Sequence, residues 1–332
     1  MRRWVNRPDG SNWGDFGEDD QIGRMNLLTP ERRRAAVAEV KEGIAFTLSL
    51  PLNVPTAPLA PYRHPPIVAA ARDEEGDVYN RLDPDEGQET TCDDQVTLHT
   101  QHSTQWDALA HRGRAFDADG DSVAELVYYN GFRAHEHVMG GDGAGTQARA
   151  LGVETLAMAG VQGRGVLVNL EAAYGNEPRA VTRDDLLRAM EAQGVEVRPG
   201  DFLLLYTGFD KLVLAREASG LDTWISTMGC ALDGSDEALL QWIVDSGIVA
   251  ICSDNVAIEA LDLILSETPP PIRLPIHDLC LFKQGIFLGE LWYLRELAEW
   301  LLERGRHAFL LTAPPLRLPG GVGSPVTPIA TV

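Results

Sequence analysis

"GVLVNLEAAYGNEPRAVTRDDLLRAMEAQGVEVRPGDFLLLYTG", residues 165 to 208, carries the pattern on which the fold turns. Its two ends, "GVLVNL" (165–170) and "DFLLLYTG" (201–208), are short apolar runs bounded by Gly or Asp, as expected of buried strands. Between them "TRDDLLRAMEAQG" reads as a helix. Thr182 offers an N-cap, Asp184 and Asp185 favour the positive end of the helix dipole, and Gly194 ends it.

The same alternation continues outward. "GIVAICSD" (247–254) and "HAFLLTAPPL" (307–316) read as further buried strands, and "SDEALLQWIVDSG" repeats the helical grammar between Ser235 and Gly247. In "ELWYLRELAEWLLERG" the residues Leu291, Leu294, Ala298 and Leu301 fall on one face, so that face should lie on the sheet. Strand following helix predicts an α/β domain with a central sheet covered by helices. No repeat or Gly/Ser linker divides the chain, so residues 1–332 are expected to form one domain. Residues 53–95, rich in Pro, Asp and Glu, suggest a long acidic surface loop able to act as a lid or subunit contact. The tail at about 314–332, with "LPGGVGSPVTPIA", holds too many Gly and Pro for a central strand and is expected to wrap an edge or a neighbouring subunit.

Composition narrows the function classes. The 332 residues are 44% hydrophobic, enough to fill a core, and 28 Lys plus Arg face 49 Asp plus Glu, a formal charge of −21. A negative surface argues against nucleic acid or an anionic membrane as partner. No signal-type segment and no run of 18 apolar residues is visible, so a cytoplasmic location is expected. Cys92, Cys230, Cys252 and Cys280 form no CxxC pair and are read as free thiols.

Chemistry concentrates in "QHSTQWDALAH", Gln101 to His111. "QVTLHTQ" alternates like a strand, so Gln101, Ser103 and Gln105 should share a face if the strand runs that far. Asp107 and His111, four apart, would stack on a following turn. A carboxylate with carboxamide oxygens can bind a hard divalent ion while a neutral imidazole takes a proton from water. Equally, Asp107 could orient His111 as a metal-free base, or cap a helix beside an ordinary histidine. His277 in "LPIHDLCL" and Glu290 in "GIFLGELWYL" lie in apolar surroundings where a metal would supply each with a partner; the plainer alternative is a loop histidine and an exposed helix start. Ser103 lacks a G-x-S-x-G elbow. Trp13 and Trp106 could wall a planar substrate or simply pack the core, "YYNG" (128–131) reads as a turn, and Arg164 and Arg317 could receive a substrate carboxylate or be structural.

Taken together these segments resemble the metal-dependent hydrolases of the cyclase family, which includes bacterial kynurenine formamidases, isatin hydrolases and some lactone-opening enzymes. The family hallmark H-x-G-T-H-x-D-A-x-x-H is matched at Thr104, Asp107, Ala108 and His111, while Gln101 and Gln105 replace its first two histidines. "NWGDFGEDDQIGRMNLLTPE", "GVEVRPGDFLLLYTG" and "GSPVTPIA" extend the likeness along the chain. The resemblance implies a mixed sheet covered by helices in a swivelling β/β/α-type domain. It implies Asp107 as central metal ligand with His277 and Glu290 reaching the same site, and His111 as general base. The expected metal ligands are Gln101, Gln105, Asp107, His277 and Glu290, around one divalent ion, Mn²⁺ or Zn²⁺, with His111 and Glu290 catalytic. The expected reaction is hydrolysis of a small cyclic or aryl amide, imide or lactone; the alternative is a small-molecule-binding pseudo-enzyme whose glutamines ended turnover. A homodimer or homotetramer is expected. His102, one position off the hallmark, could serve only if the strand bulges.

Overall fold

The computed structural model describes residues 3–58, 60–82, 87–140, 145–215, 229–261, 264 and 266–332. A nine-stranded mixed sheet organises them: β1 (Ala45–Thr47), β2 (Gln105–Asp107), β3 (Gln162–Asn169), β4 (Phe202–Tyr206), β5 (Ala250–Ser253), β6 (Phe287–Glu290), β7 (Ala308–Thr312), β8 (Gly323–Pro325) and β9 (Ile329–Thr331). Their order is β1-β9-β7-β3-β4-β5-β6-β2-β8. Strands β3, β4, β5 and β6 run parallel, and the strands added on either side are antiparallel. The expected α/β fold with a central mixed sheet is the one found.

Every residue of β4, β5 and β6 is buried, because helices cover both faces of a parallel sheet. Helix α1 (Arg183–Gln193) is held by a capping box: Thr182 Oγ1 accepts from Asp185 N, and Asp185 Oδ2 accepts from Thr182 N. Gly194 closes it at φ 68°. Helix α2 (Glu237–Ser246) starts one residue later than Ser235 suggests, since Asp236 takes the N–H groups of Ala238 and Leu239. Helix α3 (Arg295–Glu303) buries Leu297, Ala298 and Leu301, with Leu294 just before it also buried.

Two expectations need correcting. The strand read in "QVTLHTQ" stops at Thr97, where it pairs with Ile67–Ala70. Gln101, Ser103 and Gln105 therefore do not line one strand face; the chain turns after Thr97 and enters the sheet only at Gln105. Alternation cannot reveal such a change of partner. The acidic segment is exposed but not a bare loop: a two-stranded base branches into the pairs Arg72–Asp73 with Gly76–Asp77 and Tyr79–Leu82 with Thr90–Cys92. Both its faces are wet, so its sequence carries no hydrophobic alternation.

The tail meets its expectation in an unexpected way. It supplies edge strand β8 beside β2 and then β9 between β1 and β7, near the opposite edge of the sheet. "YYNG" is the turn foreseen, with Asn130 at φ 56° and Gly131 at φ 74°. Asn130 Nδ2 also donates to the carbonyls of Gly17, Glu18 and Asp20, tying the N-terminal segment down. Trp13 and Trp106 are core residues whose indole N–H groups reach the carbonyls of Phe282 and Ala313. Arg164 is structural, paired with Glu39 and Asp201. All four cysteines are free thiols, and no helix among the described residues is long and apolar enough to cross a membrane.

Candidate metal centre

Strand β2 is short and completely buried, and it hydrogen-bonds to β6 on one side and β8 on the other. Period-two alternation puts Gln105 and Asp107 on one face, with Trp106 turned to the opposite side. Register places Glu290, the last residue of β6, directly opposite Gln105. Gln105 Nε2 accordingly donates to Glu290 Oε2 at 2.8 Å. Glu290 thus ends a strand and does not begin a helix, which starts only at Arg295.

His277 arrives from a short helical turn, Pro275–His277, that continues as a π-helix over Asp278–Gln284. Such π segments concentrate at functional sites. Its Nδ1 lies 2.8 Å from Glu259 Oε1 and its Nε2 lies 3.3 Å from Glu290 Oε1. Glu259, fully buried, also accepts the backbone N–H groups of Ile276 and His277. Sequence reading missed it. Its only signal is an acidic residue in the apolar stretch "VAIEAL", and nothing local shows that it faces His277.

Asp107, His277 and Glu290 each offer a ligand atom, all lying within 4.8 Å of one another. Both carboxylate oxygens of Asp107 are buried without a hydrogen-bond partner, and so is Gln105 Oε1. Because only the Gln105 amide nitrogen can donate to Glu290, its oxygen is the atom left free. Three orphaned oxygens around a buried carboxylate are an expensive arrangement unless a cation satisfies them. Burial, reinforced by the nearby Glu290 charge, pushes the Asp107 pKa above the usual carboxylate range. Burial disfavours charge on His277, but Glu259 and Glu290 more than offset it and raise its pKa to about 10. A proton on His277 therefore occupies part of the role a metal would fill. The donor set of carboxylate oxygens, amide oxygen and imidazole fits a divalent ion.

His111 follows β2 on a turn closed by its own N–H to the Ala108 carbonyl. Its Nε2 lies 3.8 Å from Asp107 Oδ2, so the i, i+4 pair forms without a helix. Burial pushes its pKa down to about 4, against the pull of Asp107, so the imidazole is neutral at pH 7. Gln101 Nε2 lies 3.2 Å from His111 Nδ1, while Gln101 Oε1 accepts from the Thr100 hydroxyl. The bonding of Gln101 thus supports His111 and does not point at the triad. His102 bonds the Pro55 carbonyl, and the Ser103 hydroxyl donates to the carbonyls of Pro51 and Val54; neither joins the site.

Comparison with known proteins assigns the fold to a family. The family model described as "Putative cyclase" matches residues 46–260, and a crystal structure described as a novel cyclase is 32% identical over 97% of both chains, with a TM-score of 0.77. The chain belongs to the cyclase family. Isatin hydrolase A from Labrenzia aggregata, bound to benzyl benzoate, shares 15% identity over 90% of this chain and 95% of its own, with a TM-score of 0.55. The enzyme of the same name from Ralstonia solanacearum shares 16% over 91% and 98%, also at 0.55. At such identities these two proteins share the fold of this chain. No curated protein matches the sequence.

Proposed function

We propose that this cyclase-family protein is a metal-dependent hydrolase that opens or cleaves a small cyclic or aryl amide, imide or lactone, of arylformamidase-like type. One observation carries the reading: the Asp107 carboxylate is buried with neither oxygen bonded, at the point where His277 and Glu290 converge. Two fold neighbours bear the name isatin hydrolase, which supports the same reaction class. Gln105, Asp107, His277 and Glu290 would hold one ion, Mn²⁺ or Zn²⁺. When bound, that ion supplies Lewis acidity to the scissile carbonyl and acidifies water.

The chain's own groups do the rest. Glu259 holds the proton on His277 Nδ1 and leaves Nε2 for the site. His111, neutral at pH 7 and lining a cavity with Gln101, accepts the water proton as its oxygen adds to the carbonyl carbon. When the C–N or C–O bond breaks, His111 returns that proton to the leaving atom. Glu290 suits this second task less, because its two oxygens are already engaged by Gln105 and His277. For His111 to accept at Nε2, its Nδ1–H must donate to the Gln101 oxygen. Turning the Gln101 amide over achieves this, with the Thr100 hydroxyl then accepting from the amide nitrogen.

Elemental analysis of purified protein, followed by assays with Mn²⁺ and Zn²⁺ on N-formylkynurenine, isatin, dienelactones and cyclic imides, tests the proposal. Stoichiometric metal, with turnover lost in Asp107→Ala and His111→Ala, is the expected result. A folded protein that retains no added divalent metal and turns over nothing would instead be a small-molecule-binding pseudo-enzyme.

A further inference from the structure

Two cavities share Arg112. One, about 460 Å³, is lined by Arg112, Arg114, Arg273, His277 and Asp278. The other, about 490 Å³, is lined by Arg63, Gln101, His111 and Arg112. The first therefore reaches the metal triad at His277 and the second reaches the proton-accepting histidine. Arg114 is committed to Asp278 at 3.5 Å. Among the described residues, Arg63, Arg112 and Arg273 have no carboxylate partner, although acidic residues outnumber basic ones by 49 to 28. Some arginines elsewhere find carboxylates, as Arg3 with Asp19, Arg179 with Asp185 and Arg164 with Asp201, and others spend their guanidinium on backbone carbonyls, as Arg24, Arg32 and Arg33 do. Three guanidinium groups without a carboxylate partner thus line two cavities that share Arg112, on a chain whose net charge is negative.

We infer that Arg63, Arg112 and Arg273 receive a carboxylate borne by the substrate, so that the enzyme takes an anionic amide, imide or lactone in preference to a neutral one. This rests on the hydrolase reading above. A guanidinium fork matches a planar carboxylate, and an anion approaching a chain of formal charge −21 needs a positive mouth to overcome repulsion. The reacting centre lies within range of these charges: Arg63 pulls the Asp107 pKa down, and Arg63 and Arg112 both lower that of His111. Arginines that merely balanced the buried carboxylates would leave substrates undiscriminated, and this difference can be measured.

The test uses full-length protein and matched probes. With metal-loaded enzyme, the ratio of kcat/KM for carboxyformanilide to that for formanilide is expected to be at least tenfold. It should fall as salt rises from 50 to 500 mM, and collapse toward one in the triple variant Arg63→Gln, Arg112→Gln, Arg273→Gln at unchanged metal content. A ratio near one in the native enzyme, or a ratio preserved in the variant, overturns the inference. Calorimetry on metal-free protein separates this from failure of the hydrolase reading. There phthalate should bind and phthalimide should not, with the phthalate affinity lowered at least tenfold in the variant. If neither anilide is hydrolysed but phthalate binding depends on the arginines, the hydrolase proposal fails and the anion site stands; if phthalate does not bind, the anion site fails.

Discussion

At the scale of single residues, Asp107 and His277 would answer to a metal in opposite ways, the first gaining a partner and the second giving up a proton. Without metal, the unpartnered Asp107 carboxylate destabilises the fold. Its folded pKa lies above the unfolded one, so that loss grows as pH rises through the carboxylate range and is absent in acid. Asp107→Asn should therefore raise the Tm of the metal-free protein, by an amount equivalent to about 1–3 kcal/mol at pH 8 and less at pH 5. With metal present the sign should reverse, because the variant loses the ligand. Thermal scans at both pH values, with and without chelator, read all four combinations, and a variant less stable than wild type under chelator at pH 8 would contradict the argument. His277, with a pKa near 10, is protonated in metal-free protein at pH 8 and must lose that proton to become a ligand. Metal uptake at pH 8 should release close to one proton, measured by calorimetry in buffers of different ionisation enthalpy. Glu259→Gln removes the group that fixes the ring, and should weaken metal affinity about 10–100-fold. An unchanged affinity would show that Glu259 serves only the backbone N–H groups it accepts.

At the scale of elements, what the sequence reveals depends on whether local pattern or distant pairing decides. Strands β3, β4, β5 and β7 were legible because each is an apolar run with a clear stop, and Thr182 and Gly194 mark their helix unaided. The candidate site was legible in part: the hallmark stretch and its resemblance pointed to Asp107, His111, His277 and Glu290, whose side chains the fold brings near one another. Their convergence depends on the pairing of β2 with β6, 185 residues apart at Gln105 and Glu290, which no local signal encodes. The exposed ribbon was missed for want of a buried face, and Glu259 because its partner is supplied by another element. Edge strand β8 shows how such pairing reaches the chemistry. Gly323 lies opposite Asp107, and a Cβ there would collide with the Gln101 side chain. Gly323→Ala should displace Gln101 from His111, lowering kcat about 10–100-fold with little change in metal content. Loss of metal along with activity would mean instead that β2 itself had shifted.

At the scale of the whole molecule, the acidic ribbon is the feature that a lone chain explains least. Its paired strands leave Ile67, Val68, Tyr79, Leu82 and Val96 between 50% and 67% exposed. An isolated two-stranded ribbon is marginal in water, and this one has no sheet or helix covering those side chains among the described residues. A second copy of the chain would bury them, in keeping with the homodimer or homotetramer expected from the family resemblance. The ribbon also emerges between Arg63 and the Gln101 segment, so its packing bears on the mouth of the metal centre. Light scattering at micromolar concentration should accordingly give a multiple of 36.2 kDa. Val68→Ser with Val96→Ser, a pair that faces across the ribbon, should shift the mass toward the monomer and reduce kcat/KM through the loosened mouth. Should the native protein scatter as a fully active monomer, the exposed apolar side chains would need another explanation and the ribbon would lose its link to catalysis.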